Sequence, residues 1–376
     1  MIYWLAMWIE THFAPPGFGI FQYITFRAAM AAITALLISW IVGPWIIRKL
    51  RQRQIGEQLK QELQSVGNHS RKAGTPTMGG IIVLLSLLLP TLLWADLTNA
   101  YVIAIFFVTA FLGIVGWLDD YLKVVKKLQK GLIARYKLAG QILAGLLLGG
   151  SIYFYPELYG GAMEMLRTMT TVPFQKNLNF DFGIFYIPVA ILVITATSNA
   201  VNLTDGLDGL AIGTVGIAAA AMAVISYVSG HANFADYLNI PFLLGSGELS
   251  IFCTALFGAA LGFLWYNAYP AQVFMGDTGS LALGGALGAL SVLVKKELLL
   301  PILGGIFFAE ALSVIIQVAY YKYTRWRTGT GKRVFLMAPL HHHFERKGIP
   351  EPKIVIRFYI VAVILAILTM ATFKVR

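Results

Sequence analysis

Residues 199–210, "NAVNLTDGLDGL", place Asn199, Asn202, Asp205 and Asp208 three residues apart, with Gly206 and Gly209 between them. Apolar stretches lie on both sides, at 183–200 and 207–229. A polar run of this kind between two apolar stretches marks the place where a chain leaves a membrane and re-enters it. The rest of the chain supports that reading. Of its 376 residues, 58% are hydrophobic and only 12% charged, whereas soluble domains carry about a quarter charged residues. The apolar stretches are about twenty residues long, the length of a membrane-crossing helix and not of a barrel strand. The sequence therefore predicts an all-α polytopic membrane protein, one catalytic domain over 1–376. Ten spans are expected, at 20–46, 79–95, 100–117, 138–155, 183–200, 207–229, 248–264, 280–294, 301–320 and 358–374.

The net charge of +11 is distributed unevenly over this plan. With the N-terminus outside, loops 47–78, 118–137 and 321–357 hold 22 of the 29 Lys and Arg residues, and the exterior segments hold six. Basic residues concentrate on the cytoplasmic side of membrane proteins. The bias therefore predicts a cytoplasmic location for these loops, makes anionic lipid and anionic substrates the expected partners, and argues against nucleic acid. No basic segment precedes the first apolar residues, so no cleavable signal is expected. Cys253 lies in an apolar run and reads as a buried, inert thiol. Two short apolar runs around "KNLN" (176–179) suggest a small exterior β-hairpin near 172–187.

Five of the 18 acidic residues fall at predicted cytoplasmic helix ends. Asp119 and Asp120 lie in "GWLDDYLK", Asp205 and Asp208 in the 199–210 stretch, and Asp277 in "GDTGS". Carboxylates at membrane depth are costly and mark function. Without clustered cysteines they suit a hard divalent cation, Mg²⁺ or Mn²⁺, which shares its coordination with phosphate oxygens. Lys123, Lys126, Lys127, Lys130, Arg135 and Lys137 follow the aspartate pair. Lys123 also stands at helical ion-pair spacing from Asp119 and Asp120. Adjacent helical residues point about 100° apart, so the two acids take different tasks. Asp277 is placed to cap the helix that follows it, beside N–H groups that favour an anion. Asn199 reads as an interhelical hydrogen-bonding amide. The consecutive His341, His342 and His343 fan apart in any regular structure. One or two phosphate contacts are expected from them, and a zinc site is not. A lone Asp-Thr-Gly is a weak signal for an aspartic protease. A cation-coupled transporter would carry its acids near mid-span.

These motifs together resemble the polyprenyl-phosphate N-acetylhexosamine-1-phosphate transferases, in their phosphomuramoyl-pentapeptide branch. The resemblance rests on "RKAGTPTMGG" (71–80), "GWLDDYLKV" (116–124), "NAVNLTDGLDGLA" (199–211), "WYNAYPAQVFMGDTGSL" (265–281) and "MAPLHHHFERKG" (337–348), and it runs from about residue 20 to the C-terminus. It implies a ten-helix enzyme of the bacterial inner membrane, a homodimer with both termini periplasmic. Its reaction would move phospho-N-acetylmuramoyl-pentapeptide from UDP-MurNAc-pentapeptide to undecaprenyl phosphate, with Mg²⁺, giving lipid I and UMP. By motif matching, Asp277 would be the metal ligand, and Asp119 or Asp120 the base or nucleophile. Asn202, Asp205 and Asp208 would form the uridine-diphosphate pocket. Lys72, Thr77, Lys123, Asn267, Phe274 and Gln317 would contact substrate or phosphate, and His341 and His342 the sugar-phosphate end.

Overall fold

The computed structural model describes residues 1–52, 74–128, 131–175 and 178–373. Its helices are α1 (Ile2–Phe13), α2 (Ile24–Gln52), α3 (Gly80–Trp94), α4 (Ala100–Asp120), α5 (Ala134–Phe154) and α6 (Gly161–Leu166), then α7 (Tyr186–Thr204), α8 (Leu210–Ser229), α9 (Ala232–Leu238), α10 (Leu249–Asn267), α11 (Gly276–Leu293), α12 (Leu300–Leu303), α13 (Gly305–Thr328), α14 (Leu340–Arg346) and α15 (Glu351–Ala371). Eight of these are long and apolar enough to cross a membrane. The other two expected spans fall on α3, apolar but only 15 residues long, and on the glycine-rich α11.

α11 is the axis of the bundle. Every residue from Thr278 to Leu293 is buried, and α4 and α7 pack most extensively against it. Small residues make this possible, because membrane helices attract one another through close backbone packing. A Cβ on Gly80 would overlap the backbone of Gly279, and one on Gly116 would overlap the carbonyl of Asp277. The second close contact brings the last turn of α4 to the first turn of α11. A second layer joins α10 to α2 and α8, with Cys253 fully buried inside it. α13 behaves differently. It leaves the bundle after Ser313, and of residues 315–328 only Thr324 is buried.

Helix ends gather at two opposite poles. At one, the ends of α4, α7 and α10 meet the starts of α3, α5, α8, α11 and α15. The other carries a two-stranded antiparallel sheet, β1 (Met169–Thr171) with β2 (Asn179–Asp181), Met169 standing opposite Asp181. The hairpin thus lies N-terminal to its expected position near 172–187. Pro173 has no N–H for a ladder, and the apolar run from Gly183 turns directly into helix, with Pro188 tolerated in the first turn of α7.

Candidate active site

The first pole is assembled from helix termini. α4 ends at Asp120 and continues as one π-helical turn, Tyr121–Val125, a rare conformation that recurs at functional sites. The turn carries Lys123 back over its own helix, with its Nζ 2.5 Å from Asp119 Oδ2 and 3.1 Å from Asp277 Oδ2. α5 returns antiparallel to α4, so its first-turn Lys137 arrives at the same level, 2.7 Å from Asp119 Oδ2 and 2.5 Å from Asp277 Oδ2. From α7, Asn202 donates through Nδ2 to Asp277 Oδ1 at 2.8 Å and to Ser280 Oγ at 2.7 Å.

The adjacent aspartates do divide their tasks, and the cap of α11 differs from expectation. Asp120 accepts from the backbone N–H groups of Asp277 (3.1 Å) and Thr278 (2.8 Å) and from the Thr278 hydroxyl (2.6 Å). Asp120, reaching across from α4, therefore caps α11, and Asp277 does not. The reason is position: Gly276 is already helical, so Asp277 sits inside the first turn and turns its carboxylate outward. Asp119 is fully buried and also accepts from the Leu132 N–H at 2.7 Å, which fixes the connection to α5.

Asp119, Asp120 and Asp277 each offer a carboxylate oxygen within 4.8 Å of the others. Three carboxylates against two ammonium groups leave this cluster one negative charge in excess. The donor set fits a hard divalent cation: it is all oxygen, with no thiolate or imidazole among the three. Both oxygens of Asp120 are committed to α11 and Asp119 is sealed, whereas the Asp277 side chain keeps 16% exposure. Asp277 is thus the most available of the three to an arriving ion.

The other candidates form two groups. Asp205 ends α7, and Asp208 and Gly209 precede α8. Asp208 accepts from the Ala271 N–H at 3.0 Å, and its own N–H donates to Glu351 at 2.7 Å. Asn267 accepts from the Gly209 N–H at 3.1 Å and donates to the Val273 carbonyl at 2.9 Å. Phe274 bridges to the α3 side, its carbonyl accepting from the Gly79 N–H and its N–H donating to the Pro76 carbonyl, both at 2.8 Å. Thr77 lies beside Gly276. Gln317 is set apart, its amide holding Val334 and Phe335 against α13. Lys72 lies outside the described residues. The three histidines take different partners but do not all fan apart as expected: the His341 and His342 rings stay in contact, 4.2 Å between centroids. His341 approaches Glu310 of α13, His342 Nδ1 lies 2.6 Å from Glu345 Oε2, and His343 Nδ1 accepts from the Leu336 N–H at 3.1 Å. Desolvation, with Lys347 adding to it, pulls the His343 ring below its ordinary value. Asn199 donates to Gln141 of α5 at 2.9 Å, an interhelical amide as expected.

Sequence reasoning passed over Glu310, Glu351 and Thr278, and it named Lys137 only among the nearby cations. For Glu310 a signal was present, an acid inside the predicted span 301–320; for Lys137 it was topological. A short connection between antiparallel helices sets the first turn of α5 beside the last turn of α4.

A polytopic helical membrane fold with a carboxylate and lysine centre at its helix ends defines a class of protein, and residues 102–295 match the model of glycosyl transferase family 4. Residues 72–84 match phospho-N-acetylmuramoyl-pentapeptide-transferase signature 1. The chain is 50% identical over 376 residues to the phospho-N-acetylmuramoyl-pentapeptide-transferases of Chlorobium phaeobacteroides and Chloroherpeton thalassium, and 50% identical over 390 residues to that of Salinibacter ruber, with 100% of both chains covered each time. The chain belongs to glycosyl transferase family 4 and, within it, to the family of these phospho-N-acetylmuramoyl-pentapeptide-transferases.

Proposed function

We propose that this chain transfers phospho-N-acetylmuramoyl-pentapeptide from its UDP-linked form to undecaprenyl phosphate, giving lipid I and UMP in peptidoglycan synthesis. The observation that carries the reading is the meeting of Asp119, Asp120 and Asp277 with Lys123 and Lys137 at the ends of membrane helices. A phosphate oxygen of the lipid attacks the β-phosphorus of the nucleotide. The new P–O bond forms as the bond to the bridging oxygen breaks, and UMP leaves with the electron pair. A phosphate monoester has its second pKa near 6, so the lipid phosphate is already largely ionised at neutral pH. The acids of this chain then have little proton to remove, which favours direct attack over a phospho-enzyme.

Lys123 and Lys137 serve the diphosphate in this reading. In the resting site both are paired with Asp119 and Asp277. Arriving phosphate oxygens take the ammonium groups, and the carboxylates are freed for a divalent ion. Asp277 is the proposed Mg²⁺ ligand, and the ion would neutralise charge on the diphosphate. Asn202 orients Asp277, and Asp120 fixes the helix that carries it. Asp205, Asp208, Asn267 and Phe274 line the proposed uridine side, with Thr77 and Lys72 as further contacts, whereas Gln317 acts only through the 334–335 segment that its amide holds. His341 and His342 belong to the sugar-phosphate end. The charge bias of the loops supports a cytoplasmic site, periplasmic termini and the inner membrane of a bacterium; one catalytic domain and a homodimer complete the proposal.

The test is Mg²⁺-dependent UMP release with undecaprenyl phosphate, comparing UDP-MurNAc-pentapeptide with UDP-N-acetylglucosamine. Release from the first alone is expected. Release from the second alone would assign a sister activity, and solute flux without UMP release would overturn the transferase reading.

A further inference from the structure

α13 carries a carboxylate that the proposed chemistry does not use. Glu310 is fully buried where that helix leaves the bundle, in an otherwise apolar segment. Its Oε1 accepts from the backbone N–H of His341 at 3.2 Å, and its Oε2 lies 3.2 Å from His341 Nδ1. His341 is fully buried as well. Neither ring nitrogen makes a hydrogen bond: Nδ1 faces the Glu310 carboxylate at ion-pair distance only, and Nε2, at the far side of the ring, rests against Gly206, where an added Cβ would overlap it. Gly206 joins Asp205 to the loop that carries Asp208, the proposed uridine-diphosphate pocket.

We propose that Glu310 is the positioning residue of His341, anchoring it by its backbone N–H and setting a negative charge beside Nδ1, so that Nε2 is the atom presented at Gly206. A carboxylate only accepts hydrogen bonds, so Nδ1 carries the proton that faces it. The carboxylate thereby fixes both ring orientation and tautomer, a service that carboxylates perform for catalytic histidines elsewhere. A buried carboxylate in a membrane helix carries a large desolvation cost, and helix formation by α13 does not require one. An orphaned buried nitrogen also costs free energy until a ligand group meets it. Both costs fall on the ring that borders the nucleotide loop, which gives them a common purpose.

The inference rests on the transferase reading, and its test separates the two. Glu310→Gln keeps an oxygen for the His341 N–H but turns an amide N–H₂ toward Nδ1, forcing the opposite tautomer. UMP release by the wild-type chain tests the parent reading and is the reference for every variant. With that reference active, Glu310→Gln is expected to lower kcat about 100-fold or more, with KM within a few-fold and the thermal unfolding temperature unchanged. In a His341→Ala background the same change should have no further effect. Near-wild-type turnover, or losses that multiply in the double variant, would overturn the proposal. Should Glu310→Gln fail to fold, ¹⁵N NMR of histidine-labelled wild-type protein, assigned against His341→Ala, decides alone. A protonated Nδ1 supports the proposal, and a proton on Nε2 only overturns it.

Discussion

The two poles of the bundle bury charge in opposite ways. At the hairpin pole, Arg27 of α2 is almost fully buried and grips both oxygens of Glu248, at 2.8 and 2.5 Å. The Trp94 carbonyl takes another Arg27 N–H at 3.2 Å, and the Asp96 N–H donates to Glu248 at 3.0 Å. Beneath the hairpin, Lys295 donates to Tyr186 Oη at 2.7 Å and to the Arg167 carbonyl at 3.0 Å, while Glu297 accepts from Thr170 at 2.5 Å and Tyr186 at 3.1 Å. These are closed networks of charges and dipoles. At the aspartate pole the charges also pair, but the lysine side chains stay 38% and 21% exposed and share their carboxylates. A closed network holds helices together. An open one exchanges partners, which is what binding a diphosphate demands.

Removing an acid from the open network should have the largest effect on activity and little on stability. Asp277→Asn is expected to lower UMP release about 100- to 1,000-fold, because electrostatic groups at the reacting centre are worth that much. Its thermal unfolding should stay near wild type, since two lysines lose one of two partners at an accessible site. Near-normal turnover in that variant would take Asp277 out of its role. Lys137→Ala should cost about 10- to 100-fold, mostly in KM for the nucleotide; unchanged kinetics would make this lysine a topological charge only.

The closed network predicts the reverse pattern. Arg27→Ala leaves Glu248 buried without its cation, and breaking such a pair costs about 3–5 kcal/mol. Unfolding in detergent should come well below the wild-type temperature, while the folded fraction turns over normally. A fully stable Arg27→Ala protein would erase the distinction between the poles. Gly206→Ala sharpens it from the other side. The Cβ would displace the His341 ring, so KM for the nucleotide should rise several-fold with stability nearly intact.

Much of this contrast is legible in the amino-acid sequence. The ten apolar stretches and the acids at their ends are direct consequences of the membrane penalty on charge, the bias of the loops follows the positive-inside rule, and each apolar stretch and each of those acids falls where a helix or helix end is found. Partnership across helices is not legible there. Asp119 and Asp120 are neighbours in sequence, but only the approach of α4 to α11 at Gly116 decides that Asp120 caps and Asp119 meets lysine. Glu310 is legible as an acid inside the predicted span 301–320, but nothing in that run points to its partner, the histidine 31 residues further on. The hairpin lies off its expected position because pattern alone does not weigh a strand against the start of α7.

The smallest expected effect concerns pH. Lys295 stands in the loop after α11, and burial pulls its ammonium down to about 8, with Glu297 opposing that pull. In the unfolded chain it returns to the ordinary lysine value near 10.4. Between these two values the unfolded state binds more protons than the folded one, so this group makes stability rise with pH across that window. The slope is at most about 1.4 kcal/mol per pH unit, and other titrating groups are superimposed on it. The informative quantity is therefore the difference between wild type and Lys295→Met, taken from thermal unfolding at pH 7 to 10. The wild type should gain on the variant as pH rises. A constant difference would mean that the lysine keeps its ordinary affinity for protons in the folded state, and that the hairpin pole is less tightly sealed than its hydrogen bonds indicate.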